Sequence, residues 1–275
     1  MLKNKIYIII LLVTVGFSSC GEYQKVLNKG TVEEQYAMAS ELYEAQKYNK
    51  AIQLFEKITP SYRGKPQMER IQFMIAQSHY NTKQYTLAAY YFDKFVKNYP
   101  KSSKLEESAY LSAHSYFLDS PVFSLDQKAT QEAITALQSF LYKYPESDKV
   151  AEANENIKTL TRKLERKSFE IAKQYYHTED YIAAIAAFDN LLADYLGTSY
   201  KEEAMYLKFK AANNLAINSY ILKKEERLNN AIKIHERFKR SFPESEYLSE
   251  TEDLLQNLNN ELNSLIALKT EANGL

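Results

Sequence analysis

Side chains that could do chemistry are few in this sequence, and their spacing forms no catalytic or metal site. Four histidines are spread along the chain without the spacing of metal ligands: His79, His114, His177 and His235. The chain of 275 residues has one cysteine, so a second thiolate is not available. The stretch from Pro66 to Leu196 contains no glycine, which excludes a glycine-rich phosphate loop there. The sequence therefore predicts a protein that is not an enzyme and that binds no metal and no cofactor.

The single cysteine, Cys20, stands where a covalent modification is expected instead. Two lysines near the N-terminus precede an apolar run from Ile6 to Val15, and mostly small residues then lead up to Cys20. This order has the shape of a secretory signal, and it resembles a bacterial lipoprotein signal, in which the cysteine becomes the acylated first residue. We expect a signal peptide over 1–19, a covalent lipid such as palmitate on Cys20, and a flexible tether over 20–30. The alternatives are a secreted protein with an incidental cysteine, or a short uncleaved anchor.

Two aromatic rows and one polar row recur at intervals of 37 residues. The first aromatic row is Tyr36, Phe73 and Tyr110, the second is Tyr43, Tyr80 and Phe117, and the polar row is Ser40, Gln77 and His114. Residues seven apart lie on one face of a helix, so stacked helices would align these rows into a stripe. Aromatic side chains flanked by polar side chains could bind extended peptides of many different sequences. These nine residues are candidates for a peptide groove, and the alternative is plain packing between helices.

A second pattern predicts the helices that carry these rows. A small residue is followed by large side chains four and seven positions later and by an aromatic-proline pair at positions 11 and 12, as in Ala88 to Pro100, Ala133 to Pro145 and Ala231 to Pro243. This is helical spacing ended by a helix breaker. It predicts a repeat domain over 31–275 with these parts: units of two helices over about 31–65, 66–103, 104–147, 148–198 and 199–245, and a capping helix over 246–270. The fourth unit begins with one long helix, from Asp148 to about His177, because no breaker interrupts that stretch.

The composition limits the kind of partner. Thirty-five basic residues balance 35 acidic ones, so the chain has no overall positive field to hold a phosphate backbone, and we expect no nucleic-acid binding. The aromatic residues comprise 23 Tyr, 13 Phe and no Trp. Tyrosine suits a surface that is apolar on one side and wet on the other. Any partner should therefore be recognised locally, at a groove.

The helix pairs resemble tetratricopeptide repeats, which have a small residue in the first helix, alanine near the start of the second and proline twelve positions later. The resemblance indicates an all-α fold, a right-handed α-solenoid of about five such pairs with a C-terminal capping helix. Five units behind a lipoprotein cysteine resemble the BamD (YfiO) family of outer-membrane assembly lipoproteins. The likeness is clearest at Tyr43–Ile52, at Lys143–Ser147 and in the long loop of the third unit.

Membership of that family implies a lipid-anchored scaffold on the periplasmic face of the outer membrane, within the β-barrel assembly machinery, the Bam complex. The implied partners are an Omp85-type barrel-assembly protein, bound through its periplasmic domains, and unfolded outer-membrane β-barrel proteins. In the family, the N-terminal repeats are associated with client recognition and the C-terminal repeats with the assembly machine. Two other functions stay open: a lipid-anchored protein for nutrient binding, and a repeat adaptor for cell-envelope complexes.

Overall fold

The computed structural model describes residues 21–273, and their regular structure is entirely helical. The helices are α1 (residues 21–29), α2 (Val32–Glu44), α3 (Tyr48–Ile58), α4 (Gln67–Asn81), α5 (Tyr85–Asn98), α6 (Leu105–Asp119), α7 (Lys128–Lys143), α8 (Val150–His177), α9 (Tyr181–Asp194), α10 (Lys201–Ile217), α11 (Ile221–Ser241) and α12 (Leu248–Asn273). A short 3₁₀ helix, Thr59–Tyr62, follows α3. The predicted class, an all-α fold of five helix pairs followed by a last helix, is confirmed. The long first helix of the fourth pair is α8, which has 28 residues.

The second helix of every pair buries the alanine that the sequence pattern placed near its start. These alanines are 0% exposed: Ala51, Ala88, Ala133, Ala184 and Ala231. The large side chains four and seven positions later are buried as well, for example Phe92 and Phe95 in α5. The repeat pattern therefore describes the inward face of each second helix, and it holds the two helices of a pair in close contact.

The turn between the helices of a pair has the same backbone conformation in three repeats. Its second residue has a positive φ: Gln46 (59°), Lys83 (60°) and Glu179 (62°). In the first of these turns the Lys47 amide donates to the Leu42 carbonyl at 2.7 Å and the Gln46 amide to the Tyr43 carbonyl at 2.9 Å. This is a Schellman ending, in which glycine is the usual residue at the left-handed position. Here the chain adopts that conformation without glycine.

The segment 21–30 differs from the flexible tether that we expected. Residues 21–29 are helical, and Tyr23 is only 5% exposed. Its hydroxyl donates to Gln53 Oε1 at 2.7 Å, and the Lys50 ammonium lies 5.0 Å from the centre of its ring. The Gln35 side chain donates to the Val26 carbonyl at 3.0 Å. These contacts dock α1 against α2 and α3. The predicted signal peptide and Cys20 lie outside the described residues.

The described residues divide into two compact units. Unit 1 comprises residues 21–121 and 127–160, and unit 2 comprises residues 122–126 and 161–273. Residues 122–126, from the loop between α6 and α7, pack within unit 2, where the Arg166 guanidinium lies 4.1 Å from the centre of the Phe123 ring. The division falls inside α8, whereas the sequence predicted one repeat domain over 31–275. Its pattern gives no sign of this boundary, because α8 continues across it without a breaker.

Within residues 21–273, no helix is both long enough and apolar enough to cross a membrane.

The left-handed turn residue offers a test of the repeat geometry. We expect Gln46→Gly to raise the free energy of unfolding by about 0.5–1 kcal/mol, because glycine adopts a positive φ without steric strain. Glu41→Gly is the matched control, since it places glycine at an exposed interior position of the same helix and should lower stability by about 1 kcal/mol. Denaturant unfolding measures both changes. Destabilisation by Gln46→Gly as large as that by Glu41→Gly would contradict the assignment of the turn.

Candidate functional site

All nine groove candidates lie on the first helices of unit 1, α2, α4 and α6, and four of them form hydrogen-bonded pairs between neighbouring helices. The Tyr43 hydroxyl donates to Gln77 Oε1, and the Tyr80 hydroxyl is hydrogen-bonded to His114 Nδ1 at 2.7 Å. The partners in both pairs are 34 residues apart, so one contact is repeated 37 residues further along the chain. Phe117 occupies the next place in this series and has no hydroxyl. The aromatic and polar rows therefore join successive first helices.

Tyr36 and Ser40 have a different role from the other candidates. The Tyr36 ring packs against the rings of Phe55 and Tyr62, with ring centres 6.4 and 5.5 Å apart. The Ser40 hydroxyl donates to the Tyr36 carbonyl within the same helix at 3.0 Å. In the first repeat these two side chains contribute to packing, and they do not line the clefts described next.

Two clefts are lined by six of the remaining seven candidates, all except Phe117. The first, the Phe73 cleft, has a volume of about 400 Å³ and is lined by Tyr43, Glu44, Pro66, Glu69, Arg70, Phe73, Met74, Phe95 and Lys104. The second, the His114 cleft, has a volume of about 620 Å³ and is lined by Gln77, Tyr80, Asn81, Ser103, Glu106, Glu107, Tyr110, Leu111, His114, Asp148, Lys149 and Glu152. Both lie within unit 1. Their size allows each to receive one or two side chains of a bound segment.

His114 lies at the centre of an aromatic stack beside the second cleft. Its ring is 5.5 Å from the Tyr110 ring and 5.5 Å from the Phe117 ring, with interplanar angles of 18° and 23°. Burial lowers the pKa of His114; the Glu152 carboxylate opposes this shift and the Lys149 ammonium adds to it. The neutral ring is therefore favoured, and in that form Nδ1 can accept the proton of the Tyr80 hydroxyl.

A ring, an ammonium group and a carboxylate meet at both clefts. Lys104 Nζ lies 5.4 Å from the centre of the Phe73 ring and 2.7 Å from Glu107 Oε2. At the His114 cleft, Lys149 Nζ lies 5.5 Å from the Tyr110 ring centre and 3.4 Å from Glu152 Oε2. Each lysine immediately precedes the first helix of the next pair, and each glutamate follows its lysine by three residues.

In unit 2 a ring, an ammonium group and a carboxylate also meet, but the lysine lies at a different position in the sequence. Lys173 Nζ lies 5.5 Å from the Phe169 ring centre and 3.0 Å from Glu203 Oε1. Lys210 Nζ lies 5.2 Å from the Tyr206 ring centre and 2.8 Å from Glu250 Oε1. Here the lysine follows the ring by four residues, as Gln77 and His114 do in unit 1.

A tyrosine in unit 2 takes the place that the lysine before the helix has in unit 1. Tyr200 stacks on Phe169 with ring centres 4.6 Å apart, and Tyr247 stacks on Tyr206 at 4.1 Å. A second ring thus covers the first-helix ring in unit 2, whereas a lysine side chain lies over it in unit 1. Of the first-helix rings at these four junctions, Phe73 in unit 1 is partly exposed, whereas Tyr110, Phe169 and Tyr206 are buried.

The sequence analysis did not identify the residues of unit 2 that correspond to the first aromatic row of unit 1. Phe169 and Tyr206 are again 37 residues apart, and a glutamate stands three residues after each residue that precedes a first helix. Both signals are visible in the sequence. They were hidden because the long loop and α8 increase the interval between Tyr110 and Phe169 to 59 residues.

Comparison with known proteins identifies the class of this helix-pair protein. The model of the YfiO family, described as outer membrane lipoproteins, matches residues 28–228. The match covers most of the chain and includes the first-helix rings of both units. The chain belongs to the YfiO family of outer-membrane lipoproteins.

A curated relative is similar over a shorter segment. The outer membrane protein assembly factor BamD of Caulobacter vibrioides is 26% identical over 103 residues, which are 38% of this chain and 34% of the relative. The match therefore spans about a third of the length of that relative.

Solved structures with tetratricopeptide repeats are also similar. The TPR2AB domain of yeast Sti1, in a complex with pHSP90, covers 87% of this chain and 95% of its own length, at 14% identity and a TM-score of 0.37. A Podospora anserina putative kinesin light chain with TPR-like repeats covers 76% of this chain and 97% of its own, at 14% identity and a TM-score of 0.31. Likenesses this distant carry no argument about function.

Acid should weaken unit 1 through His114. Burial lowers the pKa of His114 below the ordinary value of 6.5. The contribution of the neutral His114 ring to the free energy of unfolding is therefore complete above about pH 6.5, and it is lost as the pH falls through the lowered pKa. His114→Gln introduces the side chain that accepts a tyrosine hydroxyl at the equivalent position, Gln77. We expect the free energy of unfolding to fall less steeply between pH 7.5 and pH 5 in this variant than in the unmodified protein.

The matched control is His177→Gln at an exposed histidine of α8, which should leave the slope unchanged. His79 and His235 also have pKa values lowered by burial, so part of the slope will remain in both variants. Denaturant titrations at each pH measure the effect. Equal slopes for His114→Gln and the unmodified protein would contradict the role assigned to His114.

Proposed function

We propose that this protein is a lipid-anchored scaffold on the periplasmic face of the outer membrane, within the β-barrel assembly machinery. In this proposal unit 1 binds unfolded outer-membrane β-barrel proteins, and the chain docks on the periplasmic domains of an Omp85-type barrel-assembly protein. Membership of an outer-membrane lipoprotein family supports the location. The observation that carries client binding is the pair of clefts at the junctions of unit 1, where the residue before the next first helix is a lysine and not a stacked tyrosine.

The chemistry of the clefts suits a strand of an unfolded barrel protein. Barrel strands alternate apolar and polar residues and carry aromatic residues near their ends. An extended segment could place apolar or aromatic side chains against Phe73 and Tyr80 while its polar side chains face water. Ring surfaces contribute apolar burial, about 25 cal/mol for each Å² removed from water, and require no particular sequence. Many clients could therefore share one groove.

The clefts are held by rigid elements. Helix α4 contributes Phe73, Gln77 and Tyr80. The hydrogen bonds from Tyr43 to Gln77 and between Tyr80 and His114 fix two of these side chains, and Phe73 packs against the rings of Phe92 and Phe95. A client would meet these side chains already in place, which reduces the conformational entropy lost on binding.

Anchoring would hold unit 1 close to the membrane. Cys20 immediately precedes α1, which Tyr23 docks against α2 and α3. Each buried methylene of an acyl chain contributes about 0.8 kcal/mol, and two or three chains hold a protein firmly on a bilayer. Lipid attached to Cys20 would therefore place unit 1, with both clefts, near the surface where clients are inserted.

Removal of two cleft rings should weaken client binding without unfolding the protein. We expect Phe73→Ala combined with Tyr80→Ala to reduce the affinity for a barrel-strand peptide about tenfold or more, because an apolar surface is lost from each cleft. Fluorescence anisotropy measures the affinity, and circular dichroism verifies the helix content. Tyr142→Ala is the matched control, since Tyr142 belongs to unit 1 but is 89% exposed and outside both clefts. Unchanged affinity of the double variant would refute the groove.

The anchor and the assembly partner can be tested in cells. We expect Cys20→Ser to move the protein from the membrane fraction to the soluble fraction, because the site of acylation is lost. Crosslinking of intact cells that produce the unmodified protein should recover an Omp85-type protein with its periplasmic domains. Ser19→Ala leaves the cysteine in place and serves as the control. Consistent absence of that partner from gently solubilised membranes would exclude the assembly function.

A further inference from the structure

A third concave surface of unit 1 lies among α5, α6 and α7. This surface, the Ala136 groove, has a volume of about 550 Å³, and among the described residues it shares no lining side chain with the Phe73 cleft or the His114 cleft. Its lining includes five small side chains from α6 and α7: Ala109, Ser112, Ala113, Ala136 and Ser139. The groove is therefore separate from the surface proposed for client binding.

The corresponding space at the preceding junction, among α3, α4 and α5, is filled by a tyrosine. Tyr91 occupies on α5 the position that Ala136 occupies on α7, three residues after the buried alanine. The Tyr91 hydroxyl donates to Glu56 Oε1 of α3 at 3.2 Å, and the Tyr91 ring stacks on the His79 ring of α4 with ring centres 5.0 Å apart. The chain thus closes this junction with a ring whose hydroxyl is bound to a carboxylate.

The corresponding space in unit 2, among α9, α10 and α11, is filled by a lysine. Lys208 lies on α10, two residues after Tyr206; it is 8% exposed and forms an ion pair with Asp189 of α9. Ile234, at the α11 position that corresponds to Ala136, is 6% exposed. A long side chain bound to a carboxylate of the preceding second helix therefore closes this junction too.

Small residues stand at both of these positions in the Ala136 groove. Ser112 has the first-helix position of Lys208, and Ala136 has the second-helix position of Tyr91. The carboxylate is still present, because Asp93 lies five residues after the buried alanine of its helix, as do the carboxylates that bind Tyr91 and Lys208. The groove therefore has the acceptor of the filled junctions without the side chain that fills them.

Asp93 can accept a further hydrogen bond. Its Oδ1 atom accepts the Ser112 hydroxyl at 2.9 Å, and the Tyr116 hydroxyl is hydrogen-bonded to the same carboxylate. A carboxylate has about four acceptor positions, so these two bonds leave room for a third. Asp93 and Ala136 are partly exposed and Ser139 is exposed, so an incoming side chain can reach the carboxylate.

The charges of the groove favour a neutral occupant. Asp93 and Glu132 are the carboxylates of the lining, and Lys128 and Lys143 are its ammonium groups. Because the two signs balance, no excess of negative charge attracts another lysine. Tyr116 adds a partly exposed ring, against which an aromatic side chain can pack.

We propose that the Ala136 groove binds a tyrosine side chain of a partner protein. The ring lies over Ser112 and Ala136 beside Tyr116, and its hydroxyl donates to Asp93, which is the arrangement that closes the preceding junction. A partner docked here leaves the two clefts free for a client. The inference does not depend on client binding at those clefts.

Two small ligands that differ by one hydroxyl test the proposal: N-acetyl-tyrosine amide and N-acetyl-phenylalanine amide. The full chain in detergent carries ¹³C-labelled alanine methyl groups, of which those of Ala109, Ala113 and Ala136 report from the groove. We expect both ligands to shift these three NMR signals. The tyrosine amide should bind about fivefold more tightly, because hydrogen bonds to a charged acceptor are roughly twice as strong as neutral ones.

Variants locate the preference in the groove. Asp93→Ala should remove the preference for the tyrosine amide, while the phenylalanine amide still binds. Ala136→Tyr copies the residue that closes the preceding junction and should abolish the binding of both ligands. Gln138→Tyr is the matched control, since Gln138 is exposed on the same helix outside the groove. Should Asp93→Ala fail to fold, the comparison of Ala136→Tyr with Gln138→Tyr provides the same test.

A crosslink in intact cells tests for the partner protein. The photoreactive residue p-benzoylphenylalanine in place of Ser139, which is exposed at the groove, should crosslink to a partner peptide that contains tyrosine. The crosslink should disappear when Ala136→Tyr is added.

The results that overturn the proposal differ from those that refute client binding. Equal affinity of the two amides, or tighter binding of N-acetyl-lysine amide, would overturn the tyrosine site. The absence of a crosslink, or a crosslink that persists with Ala136→Tyr, would overturn the docking surface. Each of these results leaves the client groove intact, because the variant that tests the client groove is Phe73→Ala with Tyr80→Ala.

Discussion

The structure depends on a contact between paired helices that leaves room for no side chain larger than a methyl group. In each of the five pairs the alanine near the start of the second helix is fully buried. Ala39, Ala76 and Ala113 are buried in the first helices of unit 1. Because protein interiors are close-packed, an added methylene at such a position would separate the helices. The small residues thus set the distance between the two helices of a pair.

The junctions between pairs follow from this fixed geometry. With the helices held at one distance, a ring on the first helix lies beside the residue that precedes the next first helix. The chain fills that position with lysine before α6 and α8 and with tyrosine before α10 and α12, and at these four junctions a glutamate three residues later binds an ammonium group, whereas Pro66 precedes α4. At these four junctions the ammonium group lies over the ring and against the carboxylate. The contacts among ring, ammonium group and carboxylate are therefore the same in both units, but the lysine comes from a different sequence position in each.

Local patterns predicted most of the fold, because the signals that end and begin these helices are local. The offsets of four, seven and twelve residues identified the second helices, and the absence of a breaker identified α8. Helix α1 was missed because its stability is not local: Tyr23 is held by Gln53, 30 residues away. The boundary between the units inside α8 was missed for the same reason, since it depends on which side chains meet in space.

The candidate site was predicted in part. The row residues on α4 and α6, except Phe117, line clefts, since spacing along a helix determines which residues share a face. Sequence spacing could not reveal that the Tyr43 hydroxyl donates to Gln77, because that bond joins two helices. It also misplaced Tyr36, whose ring is covered by Phe55 and Tyr62. In both cases a tertiary contact decided the role of a side chain whose position on its helix was correct.

The difference between lysine and tyrosine at the junctions bears on where recognition can occur. A lysine side chain has many rotamers and a well-hydrated head group, so its removal from a ring surface loses a weak contact and restores conformational freedom. Displacement of Tyr247 would break the ring stack with Tyr206, and the Tyr206 hydroxyl also donates to Glu250 at 2.6 Å. The partly exposed Phe73 ring of unit 1 can therefore be uncovered further at low energetic cost, whereas the rings of unit 2 are part of its packing. The same helix-pair architecture can thus provide an exchangeable surface in one unit and a fixed one in the other.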